Sequence, residues 1–297
     1  YSNDLKDSEL WANAGIFKGT VFGNVGGNDK IASKFKLESL DNGNINIAVN
    51  GAGKIASTAD GIAMYYYRVP ANSNFTITAK ATVNSFTSND QVSFGLMARD
   101  DMYVDQYINS TMGDYVAAGP LKLTKKDSVW NCFARKSGAL TQGGTCANEI
   151  KAGETYNLKI ESNTDGYACT FGNEETITGG FDFKLTSVDS EYVYVGMYVA
   201  RSADVTFSDV KLVVDGKEIT SAGEPENPTP GEPENPAPEQ PAKPETPAEQ
   251  PATDPVVSDN NGVETGDSYH MVWYIAAMTL TAGIACVELK RKKTFDK

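Results

Sequence analysis

The chain has 297 residues, of which 26 are Lys or Arg, 39 are Asp or Glu and one is His, giving a formal net charge of −13 at pH 7. This acidic balance argues against nucleic acid as a partner, because phosphates require a basic surface. The single histidine, His270, lies beside an apolar stretch near the C-terminus. A Ser-His-Asp triad, a Cys-His pair and a histidine metal site are therefore excluded from the rest of the chain, whereas carboxylate-only chemistry remains open.

Residues 1–221 alternate between apolar and polar side chains with almost no helical period, which is typical of strands with one buried face. Clear examples are residues 75–83, 92–99 and 156–161. Residues 192–199 are instead apolar on both faces, which predicts a central strand between two layers. Many short strands separated by Gly and Asn turn signals predict an all-β fold, a two-sheet jelly-roll sandwich.

Three further regions refine this prediction. The spacing of apolar residues over 205–212 predicts a last strand with a bulge. Residues 112–127 and 135–148 show no regular period, and we expect them to form loops at one rim of the sandwich, where binding residues commonly lie.

Four segments carry a resemblance to a known family: GKIASTADGIAMYYYRV from Gly53, FTITAKATVNSF from Phe75, QVSFGLMARDDMYVD from Gln91 and YVYVGMYVARSADVTFSDVKL from Tyr192. The stretch resembles the concanavalin A-like lectin and glucanase sandwich, in a version similar to modules appended to pectate lyases. The resemblance implies sugar binding on a curved sheet face. Glucanases of this fold carry a Glu-x-Asp-x-Glu type of pattern, which this sequence lacks, so we expect no catalysis.

Flat aromatic rings and arginine forks suit sugar rings and sugar carboxylates. On this basis six residues are predicted to bind a ligand: Tyr65, Tyr67, Arg68, Arg99, Trp130 and Arg201. Tyr65 and Tyr67 share one face of a strand while Met64 and Tyr66 share the other, so one pair is expected to face the core. Trp130 is interpreted as part of a polar loop.

Arg99 and Arg201 end two similar segments, residues 94–99 and 195–201, each with a glycine near its start. We expect these segments to be neighbouring strands of one sheet. For Arg99, an ion pair with an aspartate, in a turn whose amides are capped, is the alternative to a role in binding.

Oxygen ligands from Asp101 and Asp105 are a candidate Ca²⁺ site, the only cofactor that the sequence suggests. No Cys-x-x-Cys pair is present, so a zinc site is not expected. Cys132, Cys146 and Cys169 either include one disulfide, for example Cys132–Cys146, or are three buried thiols.

Residues 222–260 are rich in Pro and Glu, and 11 of the 13 prolines of the chain fall here. Proline favours extended polyproline II backbone and the glutamates repel one another. Because nothing in this stretch can form a core, we expect a disordered stalk. At ~3.1 Å per residue its reach is on the order of 100 Å.

Residues 261–297 have the layout of a surface anchor. Residues 271–287 are uncharged and apolar or small, which predicts one transmembrane helix, and the basic run Lys290–Lys293 places the tail in the cytoplasm. Thr265 and Gly266, followed by this span and tail, resemble the LPXTG sorting signal that sortase cleaves to attach proteins to peptidoglycan. The Leu-Pro of that motif is replaced here by Gly262 and Val263.

These features predict a carbohydrate-binding module on the extracellular face, anchored to the cell wall or membrane, with a plant pectic polysaccharide as its ligand. No signal stretch precedes the first charged residues after Tyr1, so we expect a mature form or a fragment, including the C-terminal part of a longer pectate lyase. A glycan-active enzyme that uses carboxylates such as Asp101, Glu161 or Asp189 is one alternative. An adhesin or spacer is the other.

Overall fold

The computed structural model describes residues 10–26, 31–55, 60–88, 91–102, 113–123, 129–143, 149–173 and 176–220. The chain divides into two units, Tyr1–Glu232 and Pro233–Lys297, and every described residue belongs to the first. The predicted stalk, sorting signal and transmembrane helix, together with Asp105 and Cys146, lie outside the described residues. Within the described ranges, no helix is long and apolar enough to span a membrane.

Strands dominate the described residues, and the helical content is a single short turn. The elements are β1 (Lys18–Gly23), α1 (Ile31–Lys34), β2 (Phe35–Ser39), β3 (Ile45–Ala52), β4 (Lys54–Ile55), β5 (Asp60–Pro70), β6 (Phe75–Phe86), β7 (Ser93–Arg99), β8 (Tyr115–Lys122), β9 (Val129–Lys136), β10 (Ala139–Gln142), β11 (Thr155–Ser162), β12 (Tyr167–Gly172), β13 (Thr176–Phe181), β14 (Tyr192–Val214) and β15 (Lys217–Glu218).

The strands form two antiparallel sheets that share β14. The front sheet has the order β10-β9-β8-β7-β14-β5-β1, and β4 also pairs with β5. The back sheet has the order β2-β3-β14-β6-β11-β12-β13, and β15 also pairs with β14. The prediction of an all-β, two-sheet sandwich is confirmed.

Strand β14 passes from one sheet to the other at a bulge. Residues up to Ala200 pair with β5 and β7 of the front sheet, and residues from Arg201 onward pair with β3 and β6 of the back sheet. At the crossing Arg201 has φ 78°, and the register with β3 shifts so that Gly51 has no partner on β14. A bulge lets a strand turn a corner between two sheets.

Two predictions about this strand are confirmed. The register with β6 shifts between Ser208 and Lys211, which is the bulge predicted within residues 205–212, although the strand is continuous from Tyr192. Segments 94–99 and 195–201 are neighbours, with Met97 opposite Gly196.

The main core lies between the sheets and consists of the inward residues of the alternating strands. On β6 these are Phe75, Ile77, Ala79, Ala81 and Val83. Facing them are Phe94 and Leu96 of β7 and Val195 and Met197 of β14. Each large side chain that is fully buried here contributes roughly 1.5–3 kcal/mol to folding.

The prediction of rim loops over residues 112–127 and 135–148 is wrong for the described parts of these ranges, residues 113–123 and 135–143, because β8, the end of β9 and β10 lie there. Strand β8 is buried on both faces from Tyr115 to Leu121, so its sequence shows no alternation. Its Pro120 sits where the register with β9 shifts, which is where a strand tolerates proline. Trp130, which was assigned to a polar loop, lies in β9.

Candidate functional site

The outer face of the front sheet is covered by a second apolar cluster. Its large members are Phe22, Met64, Tyr66, Met97, Tyr115, Phe133, Tyr194 and Tyr198, all buried. The expectation that only one pair of β5 side chains faces a core is therefore wrong. Tyr65 belongs to the core between the sheets, while Met64 and Tyr66 belong to the second cluster.

A buried ion cluster lies within this second core. Both nitrogens of the Arg135 fork donate to Asp60, at 2.8 Å to Oδ1 and 2.6 Å to Oδ2, and Arg99 Nη2 donates to Asp60 Oδ2 at 3.0 Å. All three side chains are fully buried. Arg135 also donates to the carbonyl oxygen of Gly113, and Arg99 Nε donates to that of Asp101. The fold thus supplies an acceptor for each guanidinium that it buries.

The contact between Asp60 and Arg99 shows that the front sheet curls. Strand β14 pairs with β5 on one side and with β7 on the other, which places Met64 of β5 in the same row as Gly95 of β7, and Arg68 of β5 in the same row as Arg99 of β7. Asp60 therefore lies eight residues along β5 from the row that contains Arg99. In a flat sheet eight residues span about 26 Å, which is beyond the combined reach of the two side chains. The outer face of the front sheet is therefore concave, and the second cluster fills it.

Neighbouring side chains complete this cluster. Asp100 accepts the amide protons of Asp114 at 2.7 Å and Ser187 at 2.6 Å, and Asp114 accepts that of Ser137 at 2.7 Å. Burial raises the pKa of Asp114 above its ordinary value, although the Ser137 amide lowers it. Burial also raises the pKa of Tyr115, whose ring lies beneath the guanidinium of Arg135 at 4.6 Å. These contacts hold strand ends together, which is a structural role.

A cleft of about 630 Å³ opens at the edge of the back sheet, next to the bulge in β14. We name it the Trp11 cleft, because Trp11 is the aromatic residue of its described lining that is not fully buried. Its lining is Trp11, Ala32, Ser33, Lys34, Phe35, Lys36, Ala48, Val49, Asn50, Ser85, Thr87, Ser202, Ala203 and Asp204. This volume is within the range of pockets that hold small ligands.

Two rows of the back sheet form the floor and walls of this cleft. By register, Lys36 on β2 lies opposite Ala48 on β3, which lies opposite Asp204 on β14. The small side chain of Ala48 leaves a gap between the longer side chains on either side. In the next row Asn50 lies opposite Ser202. Strands are ~4.8 Å apart, so Lys36 and Asp204 are about 10 Å apart at the backbone.

The position of Trp11 at the cleft depends on Gly19 and Tyr65. A Cβ added at Gly19 would lie 2.8 Å from Cβ of Trp11 and 3.0 Å from the ring of Tyr65, so only glycine fits here. The Tyr65 hydroxyl donates to the carbonyl oxygen of Ala12 at 2.9 Å, next to Trp11 in the chain. Burial, with a smaller effect of the Glu38 charge, raises the pKa of Tyr65 to about 12. Tyr65 therefore stays a hydrogen-bond donor at neutral pH.

The polar groups of the cleft differ in how firmly they are held. Asp204 Oδ1 accepts from Asn46 Nδ2 at 2.7 Å and from Asn84 Nδ2 at 2.9 Å, which fixes its carboxylate. Lys36 Nζ lies 2.6 Å from Glu38 Oε2, and both side chains are well exposed. The cleft thus presents a carboxylate held by two hydrogen bonds on one side and an exposed lysine on the other.

The structure separates the residues that the sequence predicts as ligand-binding. Tyr65 and Arg99 are fully buried and Tyr67 is half-buried, so in this conformation the first two offer no surface to a glycan. Arg99 forms an ion pair with an aspartate, which is the alternative to ligand binding that the sequence leaves open. Its partner is Asp60 and not one of the aspartates that follow it. Asp100, which does follow it, caps turn amides as that alternative expects.

The other three are accessible but lie apart in the fold. Arg68 is exposed and covers the ring of Tyr192 at 5.0 Å. Trp130 is half-buried against the second cluster. Arg201 is half-buried and Nη1 donates to the carbonyl oxygen of Gly53 at 3.3 Å. Binding by these residues stays a prediction.

Asp101, the described half of the predicted Ca²⁺ site, is buried. Among the described residues, no group of three or more His, Cys, Asp and Glu side chains could hold a metal ion. Calcium binding also stays a prediction.

Lys34 and Lys36 are the residues of the cleft that sequence reasoning missed. No local pattern distinguishes them from ordinary exposed lysines, since their position depends on pairing between segments far apart in the chain. Nothing in the sequence around Trp11 shows whether its ring is exposed or buried.

Part of the chain is similar in sequence to proteins named as pectate lyases. Residues 17–111 match the profile of the family described as the pectate disaccharide-lyase N-terminal domain. Pectate lyase L of Thermoclostridium stercorarium is 38% identical over 181 residues, which is 60% of this chain and 13% of that protein. Pectate disaccharide-lyase of Dickeya chrysanthemi is 26% identical over 224 residues, which is 63% of this chain and 30% of that protein.

Among solved structures, carbohydrate binding module CBM66 of Bacillus subtilis aligns over 60% of this chain and 91% of its own, with 17% identity and a TM-score of 0.38. The alignments with the two lyases span less than a third of either protein. The described sandwich is therefore similar to a domain associated with pectate lyases, and the predicted resemblance to such modules is confirmed.

Proposed function

We propose that this chain is a non-catalytic carbohydrate-binding module for a plant-type pectic polysaccharide. The observation that supports it is the Trp11 cleft, which combines an aromatic ring, fixed oxygen acceptors and cations on an accessible sheet edge. Similarity to two proteins named as pectate lyases supports pectic material as the ligand class. Aromatic faces pack against the apolar faces of sugar rings, and amides and hydroxyls bond to sugar hydroxyls.

Affinity electrophoresis tests this proposal. The chain is run in gels containing pectin, xylan or glucan, each with calcium and with a chelator. We expect retardation in pectin, and much less of it for Trp11→Ala. Equal mobility in all gels would refute the proposal. Reducing-sugar release from the same polysaccharides would instead favour a glycan-active enzyme.

We further propose that residues 222–260 act as a stalk and that residues 261–297 hold the domain at the outer face of the cell, either by a membrane span or, after cleavage by sortase, through attachment to peptidoglycan. The support is the order of Thr265-Gly266, an uncharged span over residues 271–287 and a basic tail. Mass spectrometry of the mature C-terminus tests the sortase step, because a chain that still carries Lys297 was never cleaved after Thr265.

A catalytic pectate lyase domain in the same polypeptide, upstream of Tyr1, belongs to the proposal as well. The gene sequence preceding the codon of Tyr1 tests it directly. A reading frame without such a domain would refute this part and leave the binding module in place.

A further inference from the structure

The Trp11 cleft has a charge pattern that differs from that of the chain as a whole. The chain has a net charge of −13, whereas the described residues that line the cleft include Lys34 and Lys36 against one acid, Asp204. Lys34 forms no ion pair with a described residue. The pair between Lys36 and Glu38 is exposed, with side-chain exposures of 60% and 41%, and such pairs exchange partners at little cost.

Sheet register places these charges on opposite walls. Lys36 lies on β2, and Asp204 lies two strands away on β14, with Ala48 between them as the floor. Lys34 immediately precedes β2 and extends the cationic wall along the sheet edge. An anionic group that enters the cleft is therefore attracted to the β2 wall and repelled from the β14 wall, which fixes its orientation.

We infer that the cleft binds a run of unesterified uronate residues, with Lys34 and Lys36 pairing with successive carboxylates and Trp11 packing on a ring face. This inference rests on the proposed function and makes it specific, because a methyl ester removes the charge that the lysines recognise. Asp204, held through Oδ1 by Asn46 and Asn84, orients the chain by accepting from a sugar hydroxyl on the opposite wall.

The test compares ligands that differ only in charge. Isothermal titration of the full chain uses polygalacturonate, the same polymer after methyl esterification, and a neutral xylan, each titrated once in the presence of a chelator and once in the presence of calcium. We expect affinity for polygalacturonate to exceed affinity for the esterified polymer by about tenfold or more, and to fall with added salt because accessible ion pairs are screened.

Matched variants assign the effect to the lysines. The double variant Lys34→Gln/Lys36→Gln should lose about tenfold in affinity for polygalacturonate and little for the esterified polymer. Lys211→Gln/Lys217→Gln removes the same charge from exposed residues on the last part of β14 and on β15, which pairs with it, and should leave binding unchanged. A second pair tests the floor, since Ala48→Tyr should block the cleft while Ala168→Tyr on β12 should not.

The outcomes separate this inference from the proposed function. Binding of both polymers with equal affinity, or no effect of the Lys34/Lys36 double variant, would overturn the uronate inference and leave the binding module standing. Binding that disappears in the chelator would also overturn it, in favour of calcium bridging. Failure to bind either polymer, with the chelator and with calcium alike, would overturn both.

Discussion

Replacing Asp60 with Asn keeps the shape of the side chain but removes the negative charge that pairs with both Arg99 and Arg135. The carboxylate accepts three hydrogen bonds of 2.6 to 3.0 Å, and all three side chains are fully buried. Removing one partner of a buried ion pair costs roughly 3–5 kcal/mol, because it leaves charge uncompensated in a medium that solvates it poorly. For a domain of this size, the melting temperature then falls on the order of 6–20 °C.

Urea unfolding followed by circular dichroism measures this loss. The matched control is Glu218→Gln, which removes the same charge from the pair with Lys211, where Nζ and Oε2 are 2.6 Å apart but both side chains are about half exposed. That control should cost no more than about 1 kcal/mol. If Asp60→Asn unfolds within about 1 kcal/mol of the control, the buried carboxylate does not balance the two arginines and the reasoning about the second core is wrong.

Three further predictions concern the residues that position Trp11 and a residue of the core between the sheets. Gly19→Ala should displace Trp11 and change its fluorescence, because the added Cβ would lie 2.8 Å from Cβ of Trp11; an unchanged emission spectrum would contradict this. Tyr65→Phe should cost roughly 1 kcal/mol at pH 8. Because the folded pKa of Tyr65 is raised to about 12, the unfolded phenol loses its proton first above pH 10, which lowers the stability of the wild type alone by about 2 kcal/mol by pH 12. The advantage of the wild type in urea midpoint should therefore shrink above pH 10 and reverse before pH 12. Burial raises the pKa of the Cys169 thiol well above its usual value, so a thiol reagent should label it only after unfolding.

The part of the fold that follows from local pattern was predictable from the sequence. Strand β6 alternates buried and exposed positions, and its inward residues are those that the alternation selects. The apolar run that starts at Tyr192 predicted a central strand, and the structure places its first half between β5 and β7. In these strands burial on one or both faces dictates the residue types directly.

The parts that depend on distant pairing were not predictable. Strand β8 is buried on both faces through contacts with neighbouring strands and the second core, so its sequence carries no period. Arg99 resembles a strand-end residue available to ligand, but the curl of the front sheet brings it to Asp60, 39 positions earlier in the chain. The Trp11 cleft requires β2, β3 and β14 to align in one register, which no single segment encodes.

The last prediction concerns Gly51, which lies opposite the bulge where β14 passes from one sheet to the other. Gly51 has φ 68° and no partner on β14, and Asn50 and Ser202 align beside it in the cleft. Nothing lies within 4 Å of a Cβ added at Gly51, so Gly51→Ala introduces only the cost of a left-handed backbone, roughly 1–2 kcal/mol. The chain can relieve this strain by shifting the register, which would move Asn50 away from Ser202.

Gly43→Ala is the matched control, because Gly43 has φ 80° and the same open space but lies in the turn between β2 and β3, at the other end of the hairpin. Both variants should lose similar stability. Only Gly51→Ala should weaken polygalacturonate binding and speed amide hydrogen exchange over residues 202–204, because only there does the strain act on the rows that form the cleft. Equal exchange and equal binding in the two variants would mean that the bulge turns the strand without setting the geometry of the site.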